Sequence, residues 1–195
     1  MAWQGSRKEF IKQYGAFVHK VTRGTGILPG TLITQLFIES QSETRPGVVG
    51  SSGLTQRSNN YFGIKCSEQW KGPTVYADTR EVIKGKSVIV KGCFRVYNDI
   101  EDSIKDYIDF LQSNPRYKNA GVFEAKTVKE QAEALKRAGY ATGTGYAEFI
   151  QNVYKPYAGL IDNQKTLLAG FNIKSILGVF LLAIGATVIT NKLKK

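Results

Sequence analysis

A strand-forming run sits in the middle of a chain otherwise patterned for helices, and it limits the fold more than any other stretch. From Thr74 to Tyr97 β-branched and aromatic side chains dominate, above all in Ser87-Val-Ile-Val-Lys-Gly-Cys-Phe-Arg-Val-Tyr97. Lys84-Gly-Lys86 supplies a hairpin turn within it. The reading is α+β: a mainly helical body interrupted by one small antiparallel sheet.

The flanks carry helical periodicity. Phe10, Ile11, Tyr14, Phe17, Val18 and Val21 share a broad face over Glu9–Val21, and Arg23-Gly-Thr-Gly26 breaks that element. Pro29 can open a second helix, because a first turn tolerates proline. Gln41–Arg57, rich in Ser, Gly and Thr, reads as a loop. Trp70-Lys-Gly-Pro73 marks a turn with an exposed or half-exposed indole. Beyond the hairpin, Ile100, Ile104, Tyr107, Ile108 and Leu111 form one face, and Asn114-Pro115 ends that helix. Thr127-Val-Lys-Glu130 is a capping-box pattern, and Gly139 is a C-cap after Ala132, Leu135 and Ala138. Tyr146–Tyr157 reads as a further helix.

Within this frame the domain spans residues 1–158, followed by a linker at 159–174. The uncharged run Ser175–Thr190 is bracketed by Lys174 and by Lys192, Lys194 and Lys195. Roughly 17–25 apolar residues span a bilayer, and snorkelling lysines extend a short run. The sequence therefore predicts a transmembrane anchor at 175–191 with a basic tail at 192–195, and so a membrane partner; the competing reading is a buried core helix. The N-terminus has no charged start followed by an apolar core, so no secretory signal is read there.

The net charge is +11, and residues 163–195 hold five lysines and no acid, so the remainder carries +6. A basic body suits an anionic polymer or surface. No nucleic-acid motif accompanies the charge, so no nucleic-acid partner is expected. Cys66 and Cys93 are the only cysteines; they form either one disulfide or two buried thiols, and buried thiols are the default. The single histidine, His19, lies among Phe17, Val18 and Val21 and reads as a packed or edge residue. No metal or cofactor is called for.

Two carboxylates stand out. Leu32, Leu36 and Glu39 follow i, i+4, i+7 spacing, so Glu39 extends an apolar stripe and is partly desolvated. Desolvation raises a carboxyl's pKa, as a general acid near neutral pH requires. Glu81 in Asp78-Thr-Arg-Glu81 is the second, hairpin-borne carboxylate, with Asp78 as its rival. Such a pair is what glycosidic cleavage uses, one group protonating the leaving oxygen and the other activating water.

The blocks around these residues resemble the family 73 glycoside hydrolases, the bacterial and phage β-N-acetylglucosaminidases. Ile33-Thr-Gln-Leu-Phe-Ile-Glu39-Ser resembles the family's catalytic-helix motif, and Asn59-Asn-Tyr-Phe-Gly-Ile-Lys65 its Asn-Leu-Phe-Gly-Ile-Lys block. Trp70-Lys-Gly, Phe94-Arg-Val-Tyr97, Asn114-Pro-Arg-Tyr117 and Gly139-Tyr-Ala-Thr142 with Tyr146-Ala are similar to later blocks, in order over roughly residues 8–158. The resemblance implies a lysozyme-like helical body with a β-lobe, acting on the β-1,4 bond after N-acetylglucosamine in peptidoglycan. It implies Glu39 as acid and Glu81 as base or stabiliser, unless the substrate acetamide attacks and Glu39 needs only a polar helper. It places Asn60, Tyr61, Trp70, Tyr140 and Tyr146 at the glycan cleft. Two departures are visible: Ser40-Gln-Ser-Glu-Thr-Arg45 where relatives have Ser-Gly-Trp-Gly, and Ala141-Thr-Gly-Thr144 where they have Ala-Thr-Asp-Pro.

The expectation is thus a peptidoglycan hydrolase held at a membrane, with glycan strands as its partner. A wall substrate beside an absent signal points to a phage protein, in a virion membrane or acting at lysis. The alternatives are a lytic transglycosylase and a non-catalytic wall-binding or structural module.

Overall fold

The first helix is set by its own cap. Ser6 Oγ accepts from the Glu9 amide at 3.3 Å, and the Ser6 amide donates to Glu9 Oε2 at 2.7 Å, a complete capping box that starts α1 (Arg7–Thr22). The structure, a computed structural model, describes residues 1–170 apart from 84, 85 and 142, and without the side chains of 82, 83 and 166–170. Ahead of α1, β1 (Gly5–Ser6) pairs antiparallel with β2 (Val48–Val49).

Helix α2 (Pro29–Ser40) opens on its proline and runs through the middle of the molecule. Residues Gly30 to Phe37 are all buried, as befits a helix apolar or small on every side. Phe37 meets Phe10 of α1 edge-on at 5.5 Å and Tyr157 at 5.9 Å. At Gly30 a Cβ would lie 2.7 Å from the Tyr154 ring and 2.8 Å from Val128, so two later segments press on α2 where it has no side chain.

The segment read as a loop at 41–57 contains β2 and a short helix, α3 (Gly53–Ser58), capped by Ser52. Asn59 ends α3 in the left-handed region, and its side chain donates to the Tyr97 and Asn98 carbonyls. That bond ties α3 to the base of the hairpin. The hairpin is β3 (Thr74–Ile83) against β4 (Lys86–Arg95), antiparallel from Thr74↔Arg95 to Ile83↔Lys86. Residues 84 and 85 of the expected turn lie outside the described residues.

Asp99 caps α4 (Ile100–Ser113), and Pro115 opens α5 (Pro115–Asn119). Thr127 caps α6 (Val128–Arg137), although Glu130 reaches back to the Lys126 amide rather than to Thr127 itself. Gly139, at φ 77°, terminates α6, with the Tyr140 amide bonded to the Leu135 carbonyl. Helix α7 (Tyr146–Tyr154) leads through a 3-10 turn, Lys155–Tyr157, into α8 (Ala158–Gly170). Much of 159–174, read as a linker, is therefore helical. Ile161 of α8 is buried, and its carbonyl meets His19 Nε2 of α1 at 2.8 Å.

The core joins α1, α2, the 61–64 segment and α4 through Phe10, Ile33, Leu36, Phe62, Ile104 and Tyr107. A mainly helical α+β body with a small β-lobe agrees with the sequence reading. The transmembrane helix does not survive: among the described residues no helix is long and apolar enough to cross a membrane. The run at 175–191 that prompted it lies outside the described residues. Periodicity-free hydrophobicity marks burial without saying in what, and α2 shows such a run serving as a protein core. The fold is corrected to the helical body and β-lobe, and the membrane partner and membrane or virion location inferred from the anchor fall with it.

Candidate active site

Glu39 is carried by the last turn of α2, one residue before Ser40 locks the helix end in place. Ser40 Oγ donates to the Leu36 carbonyl and accepts from the Gly50 amide at 3.0 Å, while the Ser40 carbonyl accepts from the Ser52 amide at 2.8 Å. The carboxyl therefore projects from a fixed support.

It opens on a groove of about 480 Å³, lined also by Phe62–Ser67, Arg95, Tyr107, Phe110, Arg116, Tyr117 and Tyr140. Glu39 has no hydrogen-bond or ion-pair partner among the described residues. By area it is an exposed residue, yet burial pushes its pKa from 4.5 to about 7. The two facts describe different things. A groove admits water to one side of the carboxyl while protein fills most of the volume around it, and the ionic form's solvation depends on that volume. The negative end of the α2 dipole acts in the same direction. Near neutral pH a large share of Glu39 thus keeps its proton.

Rings enclose the carboxyl. Phe62 stacks on Tyr107 at 4.0 Å, and Tyr140 lies 6.2 Å from Tyr107 and 6.4 Å from Tyr146 between ring centres. Gln35, one helical turn before Glu39, organises them: Tyr107 Oη donates to its Oε1, and its Nε2 donates to Tyr146 Oη at 2.9 Å. Burial first, then their charged and phenolic neighbours, push Tyr107 and Tyr140 well above the usual phenol range, and burial does the same at Tyr146. These hydroxyls stay protonated and can act as hydrogen-bond donors.

The opposite wall is held by Arg95 at the end of β4. Its guanidinium grips Asp106 with two bonds of 2.8 and 2.9 Å, and Tyr97 Oη adds a third to the same carboxylate at 2.6 Å. Arg95 also donates to the Lys65 carbonyl at 3.2 Å and lies over Trp70 at 4.8 Å. Cys66, next to Lys65, is joined to Cys93 by a disulfide. The default of two buried thiols is thereby corrected. The Cys66 amide donates to the Cys93 carbonyl at 3.0 Å, so the 60–67 loop lies along β4 and brings the sulfurs together, a contact 27 residues apart that local pattern does not reveal.

The remaining sequence-derived candidates scatter. Glu81 forms an ion pair with Lys65, which does line the groove, while Asp78 pairs with Lys91 across the hairpin at 2.8 Å. Three residues apart on a strand, Glu81 and Asp78 point to opposite faces. Buried Ala77 marks the inward face that Glu81 shares, and Tyr76, 67% exposed, marks the outward face of Asp78. Neither carboxylate lines the groove itself. Tyr140 lines it, and Tyr146 adjoins it through Gln35.

Three candidates lie elsewhere. Tyr61 is fully buried and donates to the Trp3 carbonyl. Asn60 is buried, with Nδ2 donating to the Ile64 and Arg95 carbonyls and Oδ1 accepting from the Ile64 amide. Trp70 lines a separate hollow beside Tyr97 and bonds the Pro73 carbonyl. Sequence reasoning missed Gln35, Tyr107, Lys65, Arg95, Arg116 and Tyr117. A signal existed for two of them: Gln35 is polar inside an apolar helix, and Tyr107 puts a hydroxyl into an apolar stripe, so each needed a buried partner.

The family described as Glucosaminidase, mannosyl-glycoprotein endo-beta-N-acetylglucosaminidase, matches residues 15–159. The chain belongs to this family. Its membership bears out the family 73 resemblance, and with it a glycoside hydrolase. Among relatives of the chain, the peptidoglycan hydrolase FlgJ of Escherichia coli K12 is 32% identical over 158 residues, 81% of this chain and 49% of that protein. The exo-glucosaminidase LytG of Bacillus subtilis is 34% identical over 134 residues, 67% of this chain and 44% of its own. The chain thus spans about half the length of the curated relatives it matches. The solved, C-terminally truncated glycoside hydrolase domain of Salmonella typhimurium FlgJ superposes with a TM-score of 0.57 at 29% identity, covering 79% of this chain and 99% of that one.

Proposed function

We propose that this glucosaminidase hydrolyses the β-1,4 bond after N-acetylglucosamine in peptidoglycan, with Glu39 as the general acid. One observation carries the reading: an unpartnered carboxyl, pushed up to about 7 by burial, at the wall of a tyrosine-lined groove. Relatives named as peptidoglycan hydrolases support the choice of polymer. Glu39 gives its proton to the leaving glycosidic oxygen as positive charge builds on the sugar ring. Glu81, reaching the groove through Lys65, activates water or stabilises that charge. Tyr140 and Tyr146 offer ring faces to the sugars and hydroxyls to their polar groups.

Replacing Glu39 by Gln keeps shape and removes the transferable proton. Turnover of purified sacculi is expected to fall roughly a hundred- to ten-thousand-fold. Wild-type kcat/KM should also decline as pH rises through about 7, because the acid then loses its proton. Undiminished sacculus digestion by Glu39→Gln would remove the proposed acid.

A second reading has one supporting observation. Among the described residues Glu39 is the only carboxylate lining the groove, and Glu81 is held by Lys65, so a single-carboxyl reaction fits the resting geometry. That chemistry belongs either to acetamide-assisted hydrolysis or to a lytic transglycosylase. Mass spectrometry of the products separates them: reducing N-acetylglucosamine ends support hydrolysis, and anhydro-muramic ends support the transglycosylase.

A further inference from the structure

Among the described residues, the charged side chains lining the groove are Glu39, Lys65, Arg95 and Arg116. Two of the three cations are matched, Lys65 by Glu81 and Arg95 by Asp106. Arg116 has no carboxylate partner among the described residues. It is nonetheless held: its Nη2 donates to Tyr117 Oη at 2.6 Å, and its guanidinium lies 4.6 Å from the centre of that ring. Tyr117 is fully buried, so the surface on which Arg116 rests is fixed. An exposed arginine usually keeps its rotamer freedom, and Arg116 is exposed by area. This one has part of its rotamer freedom already removed and keeps N–H donors facing a groove shaped for a polymer. A planar, pre-positioned, unmatched guanidinium is suited to a carboxylate.

The groove's other features narrow where that carboxylate sits. Arg116 and Glu39 line the same groove, and no ion pair joins them among the described residues. An adjoining hollow, sharing Ser67, Arg95 and Phe110 with the groove, contains Asp106 and Asp109. Asp106 is neutralised by Arg95, whereas Asp109 would repel an anion from that side.

We infer that Arg116 is a specificity residue that binds a carboxylate carried by the glycan strand, so that the cleft prefers acid-bearing wall glycan to a neutral N-acetylglucosamine polymer. The inference rests on the peptidoglycan reading above. In wall glycan every second sugar bears a lactyl ether whose carboxyl is either free or extended into a peptide with its own carboxylates. Polymers of N-acetylglucosamine alone carry no charge. The shared chemistry is a carboxylate carried on the strand.

The test reads binding in the Glu39→Gln protein, so that turnover does not interfere. Three probes of equal sugar length are compared: peptide-bearing wall strands, the same strands stripped of peptide by an amidase, and chitin oligosaccharides. With Arg116 present, at least one wall probe should bind about tenfold tighter than chitin at low salt. That preference should shrink in 0.5 M salt. Preference for stripped strands assigns the lactyl carboxylate, and preference only for peptide-bearing strands assigns the peptide; both support the inference. Arg116→Gln should bring the wall-to-chitin ratio towards one, and Arg116→Lys, which keeps charge but loses the planar fork, should fall between. Circular dichroism of each variant checks the fold, and the ratio in Arg116→Lys still decides if Arg116→Gln unfolds. A ratio indifferent to both substitutions overturns this inference alone. Failure of every glycan to bind overturns the peptidoglycan reading as well.

Discussion

Glu39 carries a cost that the fold accepts. Its pKa is raised from 4.5 to about 7, so between those values the folded chain holds a proton that the unfolded chain has released. Stability linked to this group is therefore highest below pH 4.5, declines as pH rises, and reaches its floor above about 7. Glutamine has no ionised form to penalise. Glu39→Gln should accordingly melt at the same temperature as wild type near pH 4 but roughly 1–3 °C higher at pH 8, a difference differential scanning calorimetry would show. A gap that stays constant with pH would mean that burial does not set this pKa. The same residue shows what sequence can reveal at this scale. Glu39 was legible because it prolongs the stripe of Leu32 and Leu36, and a carboxyl in that place must be desolvated. Asn60 and Tyr61 are buried away from the groove lining, and a buried polar group and a ligand-facing one look alike in sequence. Both need partners, and here the partners are backbone carbonyls of the chain itself.

Among the elements, the hairpin was the most legible and its attachment the least. Alternating β-branched residues announced β3 and β4, but nothing local announced that the 60–67 loop would lie against β4 and close a disulfide. That bond fastens the 60–67 loop to β4, and the Arg95–Asp106 pair fastens β4 to α4. Closing a loop of 27 residues removes chain entropy from the unfolded state worth roughly 3–4 kcal/mol, less whatever structure the unfolded chain retains. The Cys66→Ser/Cys93→Ser double variant should then melt about 10 °C lower. Cys66 itself lines the groove beside Lys65, so its release should also raise KM for sacculi at temperatures where the variant is still folded. Comparing melting curves and steady-state kinetics of the oxidised protein and the double variant checks both effects. Equal melting temperatures would show that the disulfide fastens nothing the other contacts do not already hold.

At the scale of the whole molecule, chemistry and scaffold occupy different regions. The groove draws on α2, the 62–67 loop, β4, α4, α5 and Tyr140, and among the described residues none of its lining comes from α1 or α8. Helix α8 begins at Ala158 and runs beyond the family match, which ends at residue 159, and the motif-based reading took this stretch for a linker. Packing shows that it is part of the body. Gly15 of α1 is buried against Gln164 of α8, and a Cβ there would lie 2.5 Å from Gln164 Cγ. Gln164 is itself buried, with its Oε1 unpaired. Two effects therefore compete in Gly15→Ala. Alanine favours a helix over glycine by roughly 1 kcal/mol, whereas the contact forces the root of a buried side chain, and with it α8, to move. The clash involves Cβ and Cγ rather than a free tip, so it should win, and Gly15→Ala should lower the melting temperature. Removing the obstacle as well reverses the sign. In Gly15→Ala/Gln164→Ala the propensity gain remains and an unpaired buried oxygen is gone, so the double variant should melt above Gly15→Ala by several degrees. The two effects will not add, because the residues touch. Turnover of sacculi at low temperature should be the same in all three proteins, since the groove is untouched. Additive melting shifts would mean that α8 does not rest on α1, and a loss of turnover would mean that the scaffold and the groove are not separable.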